Sequence, residues 1–328
     1  MYLTEQQLYA HITCIARRFC IKYSMKIMIT GATGFLGRNL IGKLTDHDLV
    51  LIDLPPDMFD ESVRESWWHN YKIHHADIND DISTIKDQMK GVDVVIHLAN
   101  KTRIPPSWTQ YKTYYQTNIG ATQQIFACAQ TMSVKKFIYI SSSSVYGNNG
   151  STIQKETDPL MPTNPYAVSK MAAEHALRVQ AQDHSTELII VRPFTMYGDY
   201  MDFGKEALVI GKFLTAWEQD EPLMIEGTGQ QRRDFIHADD AVEGLKLIIE
   251  HGHHNDIFNL GSGESVTVRE LADLVSQKQI LVPERRGAVF STHADISRLR
   301  ALGFKPRVRI KEWLTECVNE YKIKETIT

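Results

Sequence analysis

Tyr166 and Lys170 stand four residues apart in the run YAVSK, and some twenty residues before them Ile140–Gly147 reads ISSSSVYG. Side chains spaced by four share one face of a helix. A lysine ammonium held there stabilises a phenolate and brings the tyrosine pKa toward neutrality, which suits a group that takes and returns a proton. A neighbouring hydroxyl, with Ser142 as the candidate, would hold the oxygen that gives up that proton. A bare Tyr-x-x-x-Lys also occurs on helices with no chemistry. Its weight here comes from the serine-rich strand end and from a glycine loop far upstream.

That loop is Gly31-Ala-Thr-Gly34-Phe35-Leu36-Gly37, directly after a short apolar strand at Lys26–Thr30. Glycines let a backbone turn sharply and approach a ligand closely, and the helix that follows offers unpaired N–H groups to a pyrophosphate. Tight turns use glycine for steric reasons alone, so the context decides. Asp53 ends the second strand about 20 positions later, where an acid would bind adenosine ribose hydroxyls. A carboxylate there repels a 2′-phosphate, which favours NAD over NADP; the competing reading of Asp53 is a strand-end cap. Asp77, after the strand Lys72–Ala76, is placed to bond an adenine amine. His74 and His75 read as strand residues, and no metal is expected.

The elements that must position these groups alternate. Strands are expected at Lys26–Thr30, Leu49–Asp53, Val92–His97, Lys136–Ser141, Leu188–Val191 and Ile257–Leu260. Helices are expected near Phe35–Leu44, Thr109–Thr131, Tyr166–Gln180, Ala241–Glu250, Val266–Ser276 and Lys311–Tyr321, with a basic loop between the last two. This rhythm predicts an α/β fold of Rossmann type, a doubly wound parallel sheet that binds ligands at the carboxyl ends of its strands. From Thr195 onward the rhythm loosens, predicting a smaller C-terminal substrate-binding lobe.

The 328 residues, 43% of them hydrophobic, suffice for such a core. A net charge of −4 without charge blocks argues against nucleic-acid or membrane-surface binding. Cys14, Cys20, Cys128 and Cys317 are scattered, forming neither a disulfide framework nor a zinc pattern, and a cytoplasmic setting follows as the expectation. Apolar runs fall short of a membrane span. Residues 1–24 precede what reads as a fresh domain opening at Met25, and no catalytic role is expected of them. A signal peptide is disfavoured because Glu5 and Gln6 come first and Arg17 and Arg18 interrupt the apolar stretch.

In order along the chain, GATGFLG, the HLA at His97–Ala99, TNIGAT at Thr117–Thr122, SSSSVYG, YAVSK and RPFTMYG at Arg192–Gly198 closely resemble the extended short-chain dehydrogenase/reductases. The resemblance is to their NAD-dependent epimerase/dehydratase group. It continues through Gly227–Val242, Asn259–Thr267 and Ala294–Phe304, covering Met25 to about Tyr321. It implies a catalytic Ser142, Tyr166 and Lys170, with NAD against Gly31, Gly34, Phe35, Leu36, Gly37, Asp53, Asp77, Ile78, Leu98, Ala99, Asn118, Tyr166 and Lys170. Asn118 resembles the family's structural asparagine. A nucleotide sugar would meet Ser142, Thr195, Arg233 and Arg285, with Arg286 a rival for the last role and a solvated loop the plain alternative for both arginines. NAD binding is expected from residues 25–193 plus about 234–258, and sugar binding from about 194–233 plus 259–328. Helices Thr109–Thr131 and Tyr166–Gln180 resemble those that pair in the family's homodimers.

Family dehydratases place an Asp-Glu pair just before VYG, and decarboxylases a glutamate. Here both positions are serine, Ser143 and Ser144, which disfavours those reactions. Two enzymatic readings stand: a 4-epimerase similar to the UDP-glucose/galactose enzymes, which is favoured, and an NAD(P)H-dependent reductase of a nucleotide 4-keto-6-deoxy sugar. A non-catalytic NAD-binding regulatory module is the reading from another class. Thr195 replaces the family's usual asparagine and Asp199 its usual proline, so a substrate other than plain UDP-galactose is open.

Overall fold

Apolar side chains occupy both alternating sets of positions in the strand segments, and such strands must be buried on both faces. The computed structural model describes residues 24–55, 71–150, 152–182, 184–204 and 207–327, with side chains described to residue 319. Within it the strands are β1 (Lys26–Thr30), β2 (Asp48–Asp53), β3 (Ile73–His75), β4 (Val94–His97), β5 (Lys136–Ile140), β6 (Glu187–Pro193), β7 (Thr195–Tyr197), β8 (Leu223–Glu226), β9 (Arg232–His237), β10 (Ile257–Leu260), β11 (Ser265–Thr267) and β12 (Gln279–Val282). Seven form one sheet in the order β3-β2-β1-β4-β5-β6-β10, every neighbouring pair parallel. This is the doubly wound Rossmann arrangement, and the strand order reverses between β1 and β4, where such sheets open a ligand crevice.

Helices cover both faces. The principal ones are α1 (Phe35–Ile41), α2 (Ile82–Gln88), α3 (Tyr111–Tyr115), α4 (Thr122–Thr131), α5 (Pro165–Gln180), α6 (Val209–Glu218), α7 (Ala238–His251), α8 (Val268–Val275), α9 (Ser297–Ala301) and α10 (Ile310–Ile327). Ile27, Ile29, Ile96 and Ile138 point to one face and pack with Leu36 and Leu40 of α1 and Leu245 and Ile248 of α7. Met28, Val95, Phe137 and Tyr139 point to the other, against Ile125 and Phe126 of α4 and Ala173 and Leu177 of α5. Each such buried side chain contributes about 1.5–3 kcal/mol. A third core joins Ile210 and Phe213 of α6, Phe235 of β9, Leu271 of α8 and Leu314 of α10. It lies under two small sheets, β11-β9-β7 and β12-β8.

Boundaries differ from the sequence reading where local chemistry intervenes. The expected helix at Thr109–Thr131 contains a π-helical segment, Gln116–Ala121, between α3 and α4. The expected helix at Val266–Ser276 begins as a strand, because Thr267 and Glu270 form a capping box that starts α8 at Val268. α1 stops at Ile41, short of Leu44. No helix among the described residues is long and apolar enough to cross a membrane. Residues 1–23 lie outside those described.

Candidate functional site

The carboxyl ends of β1, β2, β4 and β5 meet in one crevice. Gly31 has φ +71°, and a Cβ there would stand 2.7 Å from the Ala99 nitrogen and 2.9 Å from the Leu98 carbonyl carbon. The loops after β1 and β4 therefore touch through a residue that must be glycine. Leu98 N–H donates to Thr30 O at 3.0 Å and Ala99 N–H to Thr30 Oγ1 at 3.3 Å, fixing that contact. A Cβ on Gly37 would strike the Ala32 and Gly31 main chain, so α1 can start this close to the loop only with glycine. Gly34 is extended at the N-cap, with Phe35 and Leu36 opening the helix.

Asp53 is buried at the end of β2. Its Oδ2 accepts from the Thr33 N–H at 2.7 Å and the Thr33 hydroxyl at 2.8 Å, and its Oδ1 accepts from Leu54 N–H at 2.8 Å. Burial raises its pKa against the pull of those hydrogen bonds. Asp53 thus braces the glycine loop through Thr33. Asp77 accepts from the Asn79 N–H and side-chain amide, ordering the turn after β3. The Ile78 side chain is part of the core.

The Ser142 hydroxyl donates to the Ser144 hydroxyl at 3.0 Å and accepts from Ser144 N–H at 3.2 Å, and it lies near enough to Tyr166 to pull that phenol's pKa down. Tyr166 and Lys170 are both buried in the first turns of α5, which Asn164 caps by accepting from Ala167 N–H at 2.9 Å. The Lys170 ammonium donates to Ile140 O at 2.6 Å and Asn100 Oδ1 at 2.8 Å, and lies 4.4 Å from the Tyr139 ring centre. The expected lowering of the Tyr166 pKa is not found: burial pushes it up to about 12, against the Ser142 hydrogen bond. Burial also brings Lys170 down to about 7, opposed by the Glu174 carboxylate. Desolvation of the phenol is the larger effect in the protein by itself.

Asn118 sits in the π-helical segment, completely buried. It accepts from Lys101 N–H and donates to Lys101 O and to the Ser169 hydroxyl, each at 2.9 Å. Such π-insertions recur at functional sites because they re-aim side chains. Sequence reasoning missed Asn100 and Tyr139. Asn100 directly follows His97–Ala99 at a strand's carboxyl end, which was the available signal; nothing in the sequence marked Tyr139.

On the small-lobe side, Arg233 of β9 donates to Arg232 O at 2.7 Å and Phe290 O at 3.2 Å. Burial, then the charge of Arg285, brings its pKa down to about 10. Arg285 pairs with Glu226 at 2.8 Å. Arg286 instead stacks over Trp108, its guanidinium 3.8 Å from the ring centre. A guanidinium whose pKa a second guanidinium lowers marks a place where a polyanion is favoured. Thr195 lies half-buried in β7, paired in register with Phe235.

The sequence profile of the NAD dependent epimerase/dehydratase family matches residues 27–261. A dTDP-D-glucose 4,6-dehydratase of Mus musculus is 27% identical, covering 92% of this chain and 89% of its own length. A putative UDP-glucose 4-epimerase of Methanocaldococcus jannaschii is 28% identical, covering 90% and 98%. Among solved structures, MoeE5 in complex with UDP-glucuronic acid and NAD superposes with a TM-score of 0.78 at 30% identity, over 88% of this chain and 96% of that one.

Proposed function

The chain belongs to the NAD dependent epimerase/dehydratase family, and from that premise we propose that it is a nucleotide-sugar 4-epimerase. The observation that carries the reading is the hydroxyl group of neighbours Ser142, Ser144 and Tyr166 beside Lys170. Serines 143 and 144 stand where the family's dehydratases place an Asp-Glu pair, and elimination of water needs that extra acid and base. The relationship to a dehydratase at 27% identity is therefore one of scaffold in this reading.

The family's cofactor is NAD, and the crevice fits it. Gly31 and Gly37 admit no Cβ against the neighbouring main chain, which fits the tight turn and close helix packing of such a loop. Gly34 stands at the helix N-cap where a pyrophosphate would approach, and Asp53 ends β2 where a ribose would lie. Gly34, Phe35 and Leu36 would hold the pyrophosphate. Asp77 and the Ile78 main chain would hold the adenine, and Leu98, Ala99, Asn118 and Lys170 the nicotinamide half. NAD held there would supply a hydride acceptor and donor for the sugar C4, so turnover would need no net redox partner. Tyr166 takes the C4 hydroxyl proton and gives it back to the opposite epimer. Ser142 holds the C4 oxygen in line with Tyr166. Lys170 keeps a positive charge next to the phenolate that forms. Arg233 and Arg285 grip the diphosphate and Thr195 meets the sugar. Residues 25–193 with about 234–258 serve the cofactor, and about 194–233 with 259–328 serve the nucleotide sugar.

The test is incubation of purified protein, with no added cofactor, with UDP-, dTDP- and GDP-linked sugars including hexuronic acids, followed by NMR of the anomeric signals. Interconversion of a C4 epimer pair is expected. Release of a 4-keto-6-deoxy product would overturn the reading in favour of dehydration. Turnover of a 4-keto-6-deoxy sugar only when NADH or NADPH is supplied would make it a reductase. The helices at residues 111–131 and 165–180 are proposed to pair in a homodimer, which light scattering at micromolar concentration would reveal as twice the chain mass.

A further inference from the structure

Glu174 follows Lys170 by one helical turn and is 2% exposed. Its two oxygens accept from Arg192 Nε at 3.0 Å and Nη2 at 2.6 Å, a bidentate pair between α5 and β6 with both side chains buried. The Ser141 hydroxyl, adjacent to Ser142, donates to the same carboxylate. Arg192 then donates to the Tyr146 hydroxyl at 3.0 Å and Glu156 O at 3.1 Å. Tyr146 passes the chain to Asn259 Oδ1 at 2.6 Å, and Asn259 donates to Gln154 O and Asp295 O.

A buried ion pair is weak grounds for stability, because desolvating both charges offsets their attraction. Here the surroundings of Lys170 give the pair a second consequence. The Lys170 ammonium lies over the Tyr139 ring of β5 and lowers the pKa of His97 of β4. Tyr166 and Glu174 share its helix, and the Arg192 cation of β6 stands behind Glu174. Both phenols and the imidazole are uncharged at neutral pH, since burial raises the phenols and lowers His97 to about 3. Asn100 and Ile140 offer neutral oxygens. Of these groups it is the Glu174 side chain that opposes the lowering of the Lys170 pKa by burial, and Arg192 and Ser141 hold that side chain in the interior.

We propose that Glu174 is a positioning residue for the reaction, keeping Lys170 cationic from one turn away and anchoring the helix of Tyr166 and Lys170 to β5 and β6 through Arg192 and Ser141. The inference rests on the reading that Lys170 works as the cation beside Tyr166.

The experiment follows Lys170 directly, by NMR titration of isotope-labelled lysine in the purified NAD-loaded protein. The signal is assigned by its loss in Lys170→Met. Glu174→Gln is compared with wild type. Because that variant strands the Arg192 charge, Glu174→Gln/Arg192→Met, which removes both charges, is measured in parallel. The Lys170 midpoint is expected to fall by about one pH unit or more. The alkaline limb of kcat should move down with it at unchanged KM for the nucleotide sugar, and Glu174→Asp should restore part of the shift. A Lys170 midpoint unchanged in the charge-free double variant would overturn the proposal. If wild-type protein turns over no nucleotide sugar, the activity reading fails, while the titration still decides the role of Glu174.

Discussion

The Asn118 amide donates to the Ser169 hydroxyl at 2.9 Å, and that hydroxyl donates to Tyr166 O at 2.7 Å. The π-helical segment is thereby locked to the first turn of the helix that carries Tyr166 and Lys170. Asn118→Ala removes the lock and leaves Lys101 N–H and O without their partner. A loss of about 1–3 kcal/mol in folding stability is expected from the unsatisfied groups. A fall in kcat of about a hundredfold is expected from misplacement of the pair. Chemical denaturation and steady-state kinetics check the two effects, and an unchanged kcat would separate Asn118 from the site.

Asp53 serves two masters, the Thr33 loop and the proposed ribose. Asp53→Ala should weaken NAD binding about tenfold or more through loss of both, and should narrow the preference for NAD over NADP by removing the repelling carboxylate. Titration calorimetry with the two cofactors reads both numbers. An NADP affinity that falls in parallel with that for NAD would leave Asp53 as a brace for the loop alone.

Ser142 and Ser144 differ in reach. Ser142 touches Tyr166, whereas Ser144 reaches the site through Ser142. Ser142→Ala is expected to lower kcat about a hundredfold, the usual cost of one donor at a reacting oxygen. Ser144→Ala should cost far less, because Ser144 N–H still orients Ser142. Equal losses would mean that Ser144 itself meets the substrate.

The fold was legible, and the candidate trio could be named, because both depend on local rules. Strands such as Val94–His97 are continuous apolar runs, the glycine loop follows β1 directly, and Tyr166 and Lys170 share a helical face by spacing alone. What the sequence could not reveal depends on partners distant in the chain. The break in the helix around Asn118 arises from its contacts with Lys101 and Ser169, 17 and 51 positions away. Arg285 and Arg286 are neighbours with the same side chain, and only the placement of Glu226, Arg233 and Trp108 separates their roles. The direction of the Tyr166 shift likewise follows from how deeply the phenol is buried, which spacing does not encode.

Tyr146 joins Arg192 to Asn259 through one hydroxyl that accepts from the first and donates to the second. Tyr146→Phe keeps the ring and its contact with Arg192, 5.0 Å from guanidinium carbon to ring centre, but unsatisfies both polar groups. The expected cost is about 2–3 kcal/mol of stability, measured by urea denaturation. A loss below about 0.5 kcal/mol, the scale of an ordinary surface change, would show that the linkage carries little.

His97 supplies the pH dependence. Its ring bonds Thr30 Oγ1 at 2.8 Å and Thr122 Oγ1 at 3.0 Å, and burial lowers its pKa from 6.5 to about 3. The unfolded chain therefore takes up a proton below pH 6.5 that the folded protein refuses until about pH 3. Between those values the unfolded state binds more protons, so the contribution of His97 is fully present above pH 6.5 and declines as pH falls. Buried carboxyls with raised pKa, such as Asp53 and Asp234, act in the opposite sense over part of this range. The informative quantity is thus the difference from a variant. His97→Asn should be less stable than wild type at pH 7.5, yet lose less stability between pH 7.5 and pH 4.5. Urea midpoints at the two pH values give the comparison. Equal losses in both proteins would mean that His97 is protonated in the folded state, with one hydroxyl of Thr30 or Thr122 turned to accept from it.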